Sequence, residues 1–299
     1  MREIIAIARN TFKETIRNRI LYVILMFALI LILFSGAISE LTITSPETII
    51  KNLGFAAINL FGVAIAVFVG VSLVYNELEK KTIYTIVSKP IGRWQFLLGK
   101  YFGLLLTVWV NILVMTLVFL VTIHYNAAIG THQGGFLSHL GVSIAKAAHT
   151  FVWWSAYDAT RYVMPVIGVT CLEMAIITAF AILFSSFTTP TLSMFFTVLT
   201  FIAGRLNEDI IKYADFIMQN IQKVEMRTGI VQDLPIQYYL ATGAAYLVPN
   251  LGAFTRAVEK TIYETTIDVP WLTIVTYGIV YTACVLTLSI LIFNRRNFK

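Results

Sequence analysis

The chain has 299 residues, of which 58% are hydrophobic and only 13% charged, with a formal net charge of +6. Soluble domains carry roughly a quarter charged residues, so this composition excludes an ordinary soluble enzyme or binding module. The basic residues form no stripe with interleaved aromatics, and no nucleic-acid partner is expected.

The apolar residues gather in blocks of about 20, the length a helix needs to cross a hydrocarbon core of about 30 Å. The expected fold class is therefore an all-α polytopic membrane protein, with helices and not barrel strands as the spanning elements. Residues 1–19 carry Arg2, Arg9, Lys13, Arg17 and Arg19, with Ile5, Ala8, Phe12 and Ile16 at helical spacing. This pattern predicts an amphipathic interfacial helix lying on anionic lipid. A secretory signal is the rival reading, with Ala37-Ile38-Ser39 as a loose cleavage site. The long amphipathic start and an apolar run beyond the usual 7 to 15 residues favour an uncleaved first span.

Six spans are expected, at about 20–38, 53–75, 101–123, 163–187, 190–206 and 271–293. The fifth, after Thr188-Thr189-Pro190, is short in apolar residues and is extendable if Arg205 snorkels. Six spans put both termini on one side. Residues 1–19, 76–100 and the tail hold 13 lysines and arginines, against 9 in 38–52, 124–162 and 205–270. Discounting the longest loop leaves 13 against 3, so the termini are expected in the cytoplasm of a multi-pass protein of the inner or plasma membrane. The whole chain reads as one transmembrane domain.

Two extracytoplasmic segments are then expected, 124–162 and 207–270. The first holds His124, His132, His139 and His149, with Leu137, Leu140, Ile144, Ala148 and Phe151 on a helical face. The histidine spacings match no compact ligand motif, so no metal site is expected. The second begins with a predicted helix over 208–226 and continues through Gly229, Pro235 and Pro249-Asn250. Together they suggest a small helical cap and leave room for an extracytoplasmic partner. Cys171 and Cys284 lie in apolar blocks and read as small core residues.

No energy source is legible in the chain. Gly99-Lys100 is the nearest fragment of a P-loop, and it lacks the upstream glycine and the following hydroxyl residue. No catalytic cluster has recognisable spacing, so the protein is not expected to be an enzyme or to hold a cofactor. The longest charged interruption between apolar runs is Asn76–Lys100, with five basic and two acidic residues. Residues 77–87 can form a short helix with Glu77 and Glu79 in its first turn, where the dipole favours them. Ser88, Pro90 and Gly92 break it, and Arg93 and Lys100 flank Trp94 and Phe96 at the headgroup level.

This stretch resembles the ABC type-2 permeases, in particular the branch found in copper-enzyme maturation operons. Glu77, Glu79, Thr82, Ser88, Pro90, Arg93, Gly99 and Lys100 carry the resemblance. The basic N-terminal helix, the six-span layout and Tyr246-Leu247-Val248-Pro249-Asn250 extend it to nearly the whole chain. The resemblance implies two permease copies, identical or closely paralogous, each docked on a separate cytoplasmic ATPase that binds ATP. It implies that the short helix is a coupling helix in a cleft of that ATPase, with Glu77, Glu79, Thr82, Tyr84, Ser88, Pro90 and Arg93 as the coupling residues. Residues 124–162 are longer than the family pattern, so no role carries over to them.

Glu173 is an ionisable residue deep in the fourth expected span. Burying a carboxylate there costs roughly 2.5 to 3.5 kcal/mol on insertion scales, so a partner or a wet cavity is required. One reading places it in the substrate path or a proton relay. The other makes it a structural contact to Asn59 or Asn111. An autonomous secondary transporter or channel and a membrane-bound assembly scaffold are the alternatives to an ATP-driven exporter; the first predicts repeats and broken helices around midplane ligands.

Overall fold

Hydrocarbon offers backbone N–H and C=O groups no partner, so long apolar runs close their hydrogen bonds within their own helices. The computed structural model describes residues 2–40, 46–79, 92–129, 160–228, 235–263 and 269–295. Within them the regular structure is entirely helical: α1 (Arg2–Ile16), α2 (Arg19–Glu40), α3 (Pro46–Glu79), α4 (Arg93–Ile129), α5 (Thr160–Ser185), α6 (Pro190–Thr228), α7 (Ile236–Leu247), α8 (Gly252–Tyr263) and α9 (Trp271–Arg295).

Five of these helices, α2, α3, α4, α5 and α9, are long and apolar enough to cross a membrane. The stretch expected as a fifth span, 190–206, forms the first part of α6, which is not one of the five. Its threonines, Ser193, Arg205 and Asn207 dilute its hydropathy. The separate helix expected over 208–226 is a continuation of the same rod, 39 residues and about 58 Å long. Nothing between Leu206 and Glu208 breaks it, because Asn207 directs its amide to neighbouring carbonyls, as described below.

The buried share of each apolar stretch orders the bundle. It is 83% for α5 against 28% for α2 and 33% for α9, which makes α5 the axis and the other two the rim. α5 packs against α3, α4, α6, α8 and α9, through fully buried residues such as Met174, Ile176 and Ile177. The outer face of α2 carries Tyr22, Met26, Phe27, Leu33 and Phe34, all exposed. Large apolar side chains of this kind suit lipid better than a helix interface, where small residues prevail. Cys284 also lies on an exposed face of α9, so of the two cysteines expected in the core only Cys171 is partly covered.

The α5–α6 turn follows from local chemistry. Pro190 occupies the first position of α6, where its missing N–H costs nothing. The hydroxyls of Thr188 and Ser193 lie 2.6 Å apart across the turn. The four residues between the helices make a tight antiparallel hairpin, which brings residues equidistant from the turn to the same level.

Candidate functional site

Two polar clusters, one at mid-length of α5 and one at the start of α4, join elements that are distant in sequence. The first forms where α5 and α6 run side by side. Glu173 is 12 residues before the end of α5 and Arg205 is 15 residues into α6, about 18 and 22 Å from the turn at 1.5 Å per residue. Arg205 Nη2 lies 2.9 Å from Glu173 Oε1. The contact is an ion pair without the alignment of a hydrogen bond. Asn59 Nδ2, on α3, donates to Glu173 Oε2 at 2.9 Å. Arg205 Nη1 donates to Thr255 Oγ1 on α8, and the guanidinium carbon sits 5.3 Å from the Phe201 ring centre, within cation–π range.

The ion pair is asymmetric. The Glu173 side chain is 2% exposed and that of Arg205 is 26% exposed. The carboxylate depends wholly on its protein partners, whereas the guanidinium retains access to the surface. Arg205, on whose snorkelling the length of the expected fifth span depends, is engaged by Glu173 and Thr255. Asn111 does not join this cluster; its amide donates to the Thr107 carbonyl of its own helix at 2.8 Å.

Around the pair, the chain between α7 and α8 is fastened to α6 and α9. Asn207 donates to the carbonyls of Ala245 and Val248, both at 2.8 Å. The Leu251 N–H donates to the Gly204 carbonyl at 3.0 Å, and the Asn250 N–H donates to the Tyr277 hydroxyl at 2.8 Å. The Asn250 side chain caps α8 by accepting from the Ala253 N–H at 3.1 Å. Glu208 pairs with Arg256, and the Tyr263 hydroxyl donates to Asn52 Oδ1 on α3. Burial first, then the nearby Glu259 charge, pushes the Tyr263 phenol above its ordinary pKa, so it remains a donor at neutral pH.

The second cluster surrounds the start of α4. The Gly92 N–H donates to Gln95 Oε1 at 2.9 Å while the Gln95 N–H donates to the Gly92 carbonyl at 3.0 Å, a reciprocal cap of the capping-box type. One turn later, Gly99 and Gly103 let α1 approach closely. A Cβ on Gly99 would fall 2.7 Å from Ile7 Cβ, and one on Gly103 would fall 2.5 Å from the Ala8 carbonyl oxygen. Two glycines four apart remove the side chains that would hold two helices apart. The seam on α1 includes buried Thr11 and Thr15. The stripe of Ile5, Ala8, Phe12 and Ile16 predicted from spacing is offset from that seam, and Ile5 is 67% exposed.

Charge and aromatic contacts extend this corner. Buried Lys100 lies 3.6 Å from Glu14 on α1 and 5.9 Å from the Phe96 ring centre. Phe96 stacks on Phe293 of α9 with ring centres 6.3 Å apart, and Arg93 Nη1 donates to the Asn294 carbonyl at 3.1 Å. Residues 93–100, expected as part of a connecting loop, are thus the first turns of α4, bound on one side to α1 and on the other to α9.

With this geometry in hand, comparison with protein families matches residues 5–298 to the family described as ABC-2 family transporter protein. The chain belongs to that family. Comparison with curated proteins gives no match. Membership makes this ABC-2 protein a multi-pass membrane component, the permease part of an ATP-binding-cassette transporter, and implies association with an ABC ATPase.

In this permease, Glu77 and Glu79 fall in the last turn of α3. Arg93 opens α4 and is exposed. Thr82, Tyr84, Ser88 and Pro90 lie outside the described residues, as do His132, His139 and His149, while His124 is in the last turns of α4. The residues that sequence reasoning missed are Arg205, Thr255, Gly103 and Asn207. Arg205 was findable: two opposite charges at matching distances from one short turn predict a pair, because buried charges are paired. Thr255 had no such signal.

Proposed function

We propose that this chain is one of two permease copies in an ATP-driven exporter, with a separate cytoplasmic ATPase bound to each copy. ATP binding belongs to that partner, and the permease itself holds no cofactor. The termini and residues 76–100 lie in the cytoplasm, and the first part of α6 is a sixth span. α1 lies along the inner leaflet beside the ATPase, and the substrate path runs between the two copies. Within this reading the chain belongs with the copper-maturation branch of the family, which it resembles.

The observation that carries the proposal is the corner at Gly92–Lys100. A lever must be attached to what it moves. The segment following the docking stretch is fixed to α1 through Gly99, Gly103 and the Lys100–Glu14 pair, and to α9 through Phe96–Phe293 and Arg93–Asn294. A displacement of the start of α4 would therefore be carried to α1 and α9 together. The acidic pair Glu77 and Glu79 ends α3, so a push there also reaches the helix that contributes Asn59 to the Glu173 cluster.

The test is to isolate the full-length protein from its native membrane and identify what accompanies it. A P-loop ATPase in equal amount is expected. The double substitution Glu77→Gln with Glu79→Gln should lower ATP hydrolysis by the complex at least several-fold, while membrane insertion is unchanged. Recovery of no ATPase, or undiminished assembly and hydrolysis in the double variant, would refute this assignment.

A further inference from the structure

We propose that the exposed face of α9 is a binding site for a bilayer phospholipid, which lays one acyl chain in a groove along the helix and turns its ester carbonyls to hydroxyls near Trp271. The proposal requires only that α9 spans a membrane and does not depend on the exporter reading.

The groove has a volume of about 530 Å³ and runs from Leu272 to Cys284 along one face of the helix. That volume falls within the roughly 300 to 1,000 Å³ of small-molecule sites. Its wall is held by packing. The Tyr277 and Tyr281 rings lie 5.5 Å apart, Tyr277 lies 6.1 Å from Phe254 of α8, and Tyr281 lies 6.1 Å from Phe180 of α5. Three helices thus fix the two tyrosine rings, and the groove is formed before anything enters it.

Hydrocarbon alone does not complete this face. Elsewhere in the bundle, threonine hydroxyls close back on the carbonyl four residues earlier, as Thr107, Thr170, Thr178 and Thr282 do. Among the described residues, the hydroxyls of Thr273, Thr276 and Tyr281, all lining the groove, have no hydrogen-bond partner. Leaving a hydroxyl unpaired in an apolar medium is costly. The occupant must therefore bring acceptors as well as apolar surface.

Depth identifies those acceptors. Trp271 opens α9, and tryptophan at a span end marks the membrane interface. At 1.5 Å per residue, Thr273 and Thr276 lie about 3 and 8 Å along the helix from Trp271, and Cys284 about 20 Å. The two threonines stand at the boundary between headgroups and hydrocarbon, the level of the glycerol esters of a phospholipid. The stretch from Thr276 to Cys284, about 12 Å, matches most of one leaflet of a core about 30 Å thick. A protein helix laid on this face would bring apolar side chains, but its own carbonyls are spent within its backbone. The position on the rim agrees with a lipid: the apolar stretch of α9 is only 33% buried, so the groove is entered sideways from the bilayer.

The test uses phosphatidylethanolamine carrying a photoreactive diazirine at the middle of one acyl chain. It is mixed in increasing fraction into nanodiscs of phosphatidylethanolamine and phosphatidylglycerol that hold the full-length protein, and adducts are located by mass spectrometry after illumination. Adducts on 277–284 should saturate as the probe fraction rises, whereas adducts on the exposed Met26 and Phe27 of α2 should rise in proportion to it. Thr273→Val with Thr276→Val keeps the shape of the groove and removes two neutral hydrogen bonds, so half-saturation should move about tenfold higher while the α2 adducts stay unchanged. Val280→Trp fills the groove and should abolish the saturable adducts.

Labelling of α9 that rises linearly, in parallel with α2, overturns the site. Half-saturation unmoved in the threonine variant also overturns it, because the ester contact is then absent. Under oxidation of the Cys171→Ala protein, a disulfide between the Cys284 residues of two copies in place of lipid adducts would assign the face to a second chain, and that result likewise overturns the proposal.

Discussion

Removing one member of the Glu173–Arg205 pair should destabilise the protein unequally, according to which charge is left behind. Arg205→Gln leaves a carboxylate that is 2% exposed, with only Asn59 beside it. Breaking a buried pair in this way costs about 3 to 5 kcal/mol, because the remaining charge has lost its solvent and its partner together. Glu173→Gln preserves an acceptor for Asn59 and leaves Arg205, whose side chain is 26% exposed. That guanidinium can turn outward along its stem and still donate to Thr255, so the cost falls to about 1.5 to 3 kcal/mol, the range for losing a polar contact with a charged group. The double variant Glu173→Gln, Arg205→Gln strands no charge and should lie close to the milder single. A double-mutant cycle in mixed micelles, followed by SDS-induced unfolding, measures all three. A coupling energy of about 2 kcal/mol or more is expected, with Arg205→Gln the worst of the set. Additive losses, or a Glu173→Gln loss equal to that of Arg205→Gln, would show that the pair is not what holds α5 to α6.

Other consequences are equally direct. Gly103→Ala places a methyl 2.5 Å from the Ala8 carbonyl oxygen, so α1 must lift; the overpacking is worth about 1 to 3 kcal/mol, and trypsin should cut at Arg9 and Lys13 faster than in the parent protein. Asn207→Ala strips two carbonyls of their donor, at about 1 to 3 kcal/mol, and should raise hydrogen exchange over 244–252 while leaving the α1–α4 seam unchanged. Tyr263→Phe should flatten stability at alkaline pH: the folded phenol has a raised pKa, so its contribution is complete below the unfolded value near 10 and is lost as pH rises through the folded value. An alkaline unfolding profile identical in the two proteins would contradict that assignment.

Much of the fold was legible because apolar length is a strong signal. The runs at 20–38, 53–75, 101–123, 163–187 and 271–293 each lie on one of the five apolar helices, since nothing in bulk lipid competes with intrahelical hydrogen bonding. The sixth expected run was harder to judge because α6 changes character along its length without a break. Its first turns are apolar and its later ones carry Glu208, Asp209, Lys212 and Asp215, so neither hydropathy nor a breaker marks where it leaves the membrane. The α1–α4 seam was not legible for a different reason. Periodicity counts large apolar residues, but a glycine pair selects small partners, and Thr11 and Thr15 are invisible to a hydrophobic stripe.

The Glu173 cluster separates two kinds of signal. That a membrane carboxylate needs a partner follows from solvation alone, and a short turn between two spans narrows the choice to residues at matching depth. Arg205 meets both conditions. Asn59 and Thr255 come from helices whose distance from that turn is set by tertiary packing, which a single sequence does not encode in any local pattern. Depth matching therefore identifies partners across a hairpin and fails across longer connections. Applied to the α5–α6 hairpin, the rule finds the ion pair; applied to α8, which returns after 46 residues of helix and connection beyond Arg205, it has nothing to measure. The contacts that tie α8 to α3 and α6 are of that second kind.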